Sequence, residues 1–203
     1  MLTLYGMNSS GNCYKPRLLM AKLGIAFRHV EVNSINGETH TEAFLAKNPN
    51  GKVPLLELED GRVLAESNAM LLFLSEGTRL TPSDAYERAL VYQWLFFEQY
   101  THEPSIAVRR ALLMYPERAS QATPERMTQL LESGNRALGV METQLAKTPF
   151  LAGKSLTIAD IALFAYTQDA GFAGYDMELF PNISSWLERV RSDAGHVPIN
   201  WLP

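Results

Sequence analysis

The stretch Tyr5-Gly-Met-Asn-Ser-Ser-Gly-Asn-Cys-Tyr-Lys-Pro-Arg17 decides how the first half of the chain is read. Ahead of it, Leu2-Thr-Leu-Tyr5 alternates apolar and polar residues around a β-branched one, the pattern of a short strand. Behind it, Leu18, Leu19, Ala21 and Leu23 recur at helical spacing and stop at Gly24, a residue suited to the left-handed turn that ends a helix. Serines, glycines and asparagines fill the gap, so the chain reverses sharply just before a helix begins. Pro16 has no N–H for an i→i−4 bond. That places it in the first helical turn, with the cap near Asn12 or Cys13 rather than at Ser9.

Such a loop favours an anion. The first N–H groups of a helix lack intrahelical partners and carry about half a positive charge, and the hydroxyls of Ser9 and Ser10 add donors to the same region. A thiolate suits it. Lowering a thiol pKa from about 8.5 to roughly 6.5 requires about 2.7 kcal/mol. A helix end supplies about 0.3–1 kcal/mol and a hydrogen bond to a charged acceptor about 1.5–3 kcal/mol, so the two together suffice.

A chain of 203 residues has room for one large domain or two modest ones, and 46% apolar with 20% charged residues is ordinary for a globular protein. The net charge of −4 speaks against nucleic acid as a partner, which would need a concentrated basic face. No apolar run approaches the roughly 18 residues of a membrane span, and the start of the chain has neither the basic nor the apolar segment of a signal peptide. A single cysteine excludes an internal disulfide and fits a reducing compartment, so a cytoplasmic protein is expected.

Further along, residues 27–32 read as a second strand, 33–38 as a polar loop and 41–46 as a short helix closed by Asn48-Pro-Asn-Gly51. Val53-Pro-Leu-Leu-Glu-Leu58, Asp60-Gly61 and Arg62-Val-Leu64 make a hairpin, and 66–75 a helix. The order βαβαββα spans 1–78; 79–84 reads as a linker and 85–203 as an all-helical domain. In that domain Pro104 is expected to kink or break a helix over 86–102, a second stretch runs over 105–115, and Thr123 caps a helix opening with Pro124. Thr157 and Asp160 have capping-box spacing, Leu156 and Ile161 can form a staple, and 158–164 is apolar on nearly every side, as in a helix buried all round. A last helix covers 183–191.

Taken together, Ser9-Ser-Gly-Asn-Cys-Tyr-Lys15, Asn48-Pro-Asn-Gly-Lys-Val-Pro54, Glu66-Ser-Asn68 and Leu156-Thr-Ile-Ala-Asp160 give the chain a pattern that resembles the cytosolic glutathione transferases, of a bacterial type with a Ser-Gly-Asn-Cys loop. The resemblance implies a thioredoxin-like first domain, glutathione as co-substrate, no metal, and a cytoplasmic homodimer acting in detoxification on a small hydrophobic or electrophilic partner. It implies a catalytic set of Ser10, Ser9, Asn12 and Cys13, one of the two serines holding the thiolate. Val53 would pair with the cysteinyl backbone of the ligand ahead of a cis Pro54, Glu66 and Ser67 would take the γ-glutamyl end, and Lys52 with His40 the glycyl carboxylate. Tyr100, His102, Glu103 and Arg109 would line the electrophile pocket.

Cys13 stays open between a reactive thiolate near Lys15 and a buried, inert thiol. His29, His102 and His196 lack metal-ligand spacing. Three functions follow: a glutathione transferase acting by conjugation, peroxide reduction or disulfide exchange; a non-enzymatic binding or regulatory module on the same fold; and a thiol–disulfide oxidoreductase working through Cys13.

Overall fold

The alternation over the first residues is realised as β1 (Leu2–Gly6), which lies at the centre of a four-stranded sheet in the order β2-β1-β3-β4. It runs parallel to β2 (Phe27–Glu31) and antiparallel to β3 (Leu55–Glu57), which closes a hairpin with β4 (Val63–Ala65). The computed structural model describes residues 1–203. Side chains alternate across the sheet, so each face acquires its own core. Leu4, Phe27 and Leu56 meet Met20 of α1 (Gly11–Leu23) and Met70 of α3 (Ser67–Ser75) on one side. On the other, Leu55 and Val32 meet Phe44 of the short α2 (Glu42–Leu45). This is the thioredoxin-like arrangement of the first domain.

Two expectations about α1 meet the structure differently. Gly24 adopts φ 65° and ends the helix, and its N–H and that of Ile25 return to the carbonyls of the last turn. The N-cap, however, is Ser10, with extended backbone and an Oγ that accepts from Cys13 N–H at 3.4 Å, so Pro16 falls in the second turn. The side-chain cap fixes the start, and the helix forgoes the one bond Pro16 cannot make.

The second unit, Gly77–Ser192, is all-helical. Its helices are α4 (Ala85–Phe97), α5 (Glu103–Met114), α6 (Pro124–Leu145), α7 (Ile158–Thr167) and α8 (Pro181–Ser192). Pro104 neither breaks the path nor leaves a free bend: residues Glu98–His102 form a π turn that carries α4 into α5. The wider i→i+5 turn accommodates the missing proline donor. Thr123 caps α6, accepting from Arg126 N–H.

Every residue of α7 is buried, and Asp160 in its first turn is the knot of the unit. Its carboxylate accepts Leu151 N–H and Trp186 Nε1–H, both at 2.9 Å, with Thr157 N–H at 2.9 Å and Thr157 Oγ1 at 3.1 Å. The capping box expected from sequence is thus also the tie between α7, the preceding loop and α8. Residues 193–203, grouped by sequence with the helices, cluster instead with Met1–Glu76.

Asp160→Ala strands three buried N–H donors and is expected to remove about 3 kcal/mol or more of stability, read as a lowered urea midpoint. At Gly134 an added Cβ would run into the Tyr175 hydroxyl and ring. Gly134→Ala gains about 1 kcal/mol of helix propensity, but overpacking costs about 1–3 kcal/mol, so a lower melting temperature is expected.

Candidate active site

Most of the residues singled out from sequence lie in the first unit, at the ends of its elements. Between β1 and α1, Ser10 N–H returns to Met7 C=O at 3.1 Å, which tightens the loop and brings the Ser10 hydroxyl to the helix start. Its oxygen accepts from Cys13 N–H, and the same hydroxyl lies within hydrogen-bond reach of the Cys13 thiol. Ser9, Ser10 and Asn12 are half-buried. Asn12 reaches a second helix start: Ser67 Oγ donates to Asn12 Oδ1 at 3.4 Å, and Lys15 Nζ donates to Ser67 Oγ at 3.4 Å. Ser67 is the first residue of α3, so two helix N-termini stand side by side across one loop. Glu66, directly before it, is exposed and is the only non-glycine residue with positive φ, at 67°. Such backbone is uncommon for a side-chain-bearing residue and clusters at ligand sites.

The Asn48–Gly51 turn supplies the third edge. Buried Asn48 gives Nδ2–H to Lys52 C=O at 2.8 Å and accepts from Gly51 N–H at 2.9 Å through its own backbone carbonyl, while Gly51 takes φ 60°. Lys52 is therefore presented outward, and Val53 sits just before β3 with the Val53–Pro54 bond cis. His40 is exposed and lies against the same turn, its Nε2 3.3 Å from where a Cβ on Gly51 would be. Ser10, Asn12 and Ser67 meet at one corner, and His40, Lys52 and Val53 gather at the turn before β3.

Cys13 is not exposed to this corner. It is fully buried, its sulfur accepts Met7 N–H at 3.3 Å, and Gly6 has no room for a Cβ beside it: one would stand 3.1 Å from Cys13 Cβ. Burial pushes the thiol up to about 11, outweighing the hydrogen bonds from Ser10 and Met7 that favour the thiolate. The cysteine is packing between β1 and α1.

The four residues expected to line an electrophile pocket are not gathered. Tyr100 is 89% exposed and Glu103 half-buried, whereas His102 is fully buried with Nε2 2.9 Å from Thr167 Oγ1. Thr167 gives its own proton to Leu163 C=O, so His102 is the donor of that pair. Arg109 is committed to the carbonyls of Ala173 and Met127. A cleft of about 570 Å³ in the helical unit, lined by Trp94, Phe97, Arg136, Val140 and Lys147 among others, contains none of the four.

The sequence pattern gives Asn8 and Arg17 no role, and Lys15 only a place near Cys13. Lys15 and Arg17 are fully buried cations flanking Pro16, and two charges heading the apolar run Leu18-Leu-Met20 are the one local signal that marks them.

Comparison with known proteins agrees with this layout. Residues 4–80 match the family model for the glutathione S-transferase N-terminal domain, and 124–189 the model for the C-terminal domain. A glutathione S-transferase crystal structure from Pseudomonas fluorescens is 48% identical, with a TM-score of 0.94 and 98% of each chain covered. Glutathione S-transferase F13 of Arabidopsis thaliana is 32% identical over 98% of this chain and 94% of its own length. Disulfide-bond oxidoreductase YfcG of Escherichia coli is 28% identical over 95% of this chain and 91% of its own. No helix is long and apolar enough to cross a membrane, and no cluster of three or more metal-ligating side chains is present.

In the folded protein Cys13 is expected to resist iodoacetamide at pH 7–8, with alkylation rising only as pH approaches about 11 and becoming fast in urea. Mass spectrometry of the modified chain checks it.

Proposed function

The chain belongs to the glutathione S-transferase family, and from that premise we propose how its own residues handle the tripeptide. The protein is a glutathione transferase: it binds glutathione and promotes attack of its sulfur on a small electrophilic, peroxide or disulfide substrate. The contact that carries the residue assignment is the one between Ser67 and Asn12, which sets the starts of α3 and α1 together so that a single short peptide can touch both.

The γ-glutamyl carboxylate is taken by Ser67 through its N–H and hydroxyl at the start of α3, and the ammonium by exposed Glu66. Val53 offers N–H and C=O to the cysteinyl unit as an added strand beyond β3. Lys52, with His40 beside its turn, meets the glycyl carboxylate. Pinned at both ends, the ligand's sulfur comes to the Ser9–Asn12 loop of the Ser-Gly-Asn-Cys type. Ser10 donates its hydroxyl proton to the sulfur, the start of α1 adds its positive end, and the thiol proton leaves to solvent. A thiolate so held is more nucleophilic than free glutathione at neutral pH. Holding it beside its target converts a bimolecular encounter into a local one. Of the helical residues, Tyr100 and Glu103 present side chains for the second substrate, while His102 and Arg109 serve the fold. A cytoplasmic homodimer is the proposed setting.

Kinship with a disulfide-bond oxidoreductase favours disulfides as a second substrate class. The buried Cys13 argues that any such exchange runs on the sulfur of glutathione. A glutathione-free module is disfavoured by the paired helix starts, which have no use without an anionic ligand.

Ser10→Ala is expected to raise the thiol pKa of bound glutathione by about 1–2 units, matching the loss of a hydrogen bond worth about 1.5–3 kcal/mol, and to slow conjugation at pH 6.5 about tenfold or more. The defect should narrow as pH rises, because the thiolate then forms unaided. Ultraviolet titration of the thiolate reads this directly; no change in Ser10→Ala with a large change in Ser9→Ala reassigns the hydroxyl, and no change in either refutes it. Cys13→Ala should keep most of both conjugating and disulfide-reducing activity.

A further inference from the structure

Residues 193–203 return to the first unit and lie along α1. Lys22 Nζ pairs with Asp193 Oδ1 at 2.7 Å, and Gly195, at φ 76°, crosses so close to α1 that an added Cβ would stand 2.7 Å from Lys22 Cα. Tyr14 donates its hydroxyl to Val197 C=O, and Trp201 sets its ring edge-on to Phe27 with centroids 6.2 Å apart. At the centre of this seam is Arg17, fully buried. Its two terminal nitrogens divide their bonds between the tail and one loop residue. Ile199 C=O at 2.9 Å and Trp201 C=O at 3.3 Å lie on one side, Asn8 C=O and Asn8 Oδ1, both at 2.6 Å, on the other.

Asn8 is held on its third polar group as well. Its N–H donates to the Glu31 carboxylate at 2.9 and 3.2 Å, and Glu31 in turn meets His29 Nε2 at 2.9 Å. Backbone N–H, backbone C=O and side chain of the residue immediately before Ser9-Ser10 are thus all fixed, and two of these three groups are held by a side chain whose remaining bonds go to the tail. All acceptors of Arg17 are neutral oxygens. A buried guanidinium with no carboxylate in contact is costly unless it is well hydrogen-bonded. Arg17 gives four bonds through its two terminal nitrogens while its buried Nε–H has no partner, so those four bonds to the tail and the loop are what hold it and tie the two to each other.

We propose that Arg17 is a positioning residue for the reaction, coupling the docked segment 193–203 to Asn8 and so setting the place of the Ser9–Ser10 hydroxyls that hold the thiolate. The coupling rests on the glutathione reading for its effect on chemistry, but not for its existence. The γ-glutamyl grip on α3 is untouched by Arg17, so loosening the coupling shifts the sulfur's environment while the ligand still binds.

Gly195→Ala lifts the tail without altering Arg17, Asn8 or the loop; Arg17→Met cuts the link from the other side while filling similar space. In both, with native circular dichroism, the Ser9–Asn12 amides are expected to exchange with solvent at least tenfold faster. The thiolate pKa of bound glutathione should rise by about one unit, and kcat at pH 6.5 should fall about tenfold with KM for glutathione within about twofold. A merely structural role would lower the melting temperature and leave the amide exchange, the pKa and the kcat–KM split where they are. That result in the two variants overturns the proposal. Absence of a thiolate band in the unmutated protein at saturating glutathione would instead overturn the glutathione reading, with hydrogen exchange still deciding the coupling.

Discussion

A helix leaves its first N–H groups without intrahelical partners, and the first unit is organised around that constraint. Ser10 takes the amide of Cys13 with its oxygen and so caps the first turn. Asn12 reaches to Ser67 and so aligns a second helix start with the first. Everything behind the loop serves to hold it: the Cys13 thiol wedged against Gly6, the Met7 amide on its sulfur, Asn8 fixed between Glu31 and Arg17. The arrangement has the logic of preorganised electrostatics, in which donors are set before charge arrives.

The helical unit solves the opposite problem. There a charged group is buried for good, and the solution is saturation. Asp160 takes four donors from three parts of the chain, and Glu142 does a related job by accepting the amides of Asn182 and Ile183 at the start of α8. A carboxylate placed at helix N-termini in this way offsets much of the cost of its burial.

Cys13 shows why residue type is a weak guide to chemistry. A cysteine beside a helix start, with lysine and arginine close in sequence, has the composition of a reactive thiol. The fold instead turns it inward against the central strand, and desolvation wins over every neighbour that would stabilise charge. The same turn of the helix that hides the cysteine brings Ser10 to the cap.

Local chemistry was legible in the sequence. The αβ-then-helical order, the stop at Gly24, the caps at Thr123 and Thr157, the hairpin at Asp60-Gly61 and the turn at Asn48–Gly51 all rest on interactions within a few residues. The start of α1 lies earlier than Pro16 implies, because a side-chain cap at Ser10 outweighs one missing bond. What only the tertiary structure decided lies far apart along the chain: Asn12 against Ser67, and Arg17 against Ile199 and Trp201, separated by more than fifty and more than 180 residues. Periodicity and capping report what a segment does with its own backbone. Which buried cation meets which distant carbonyl depends on how the segments close on one another, and no local pattern encodes that.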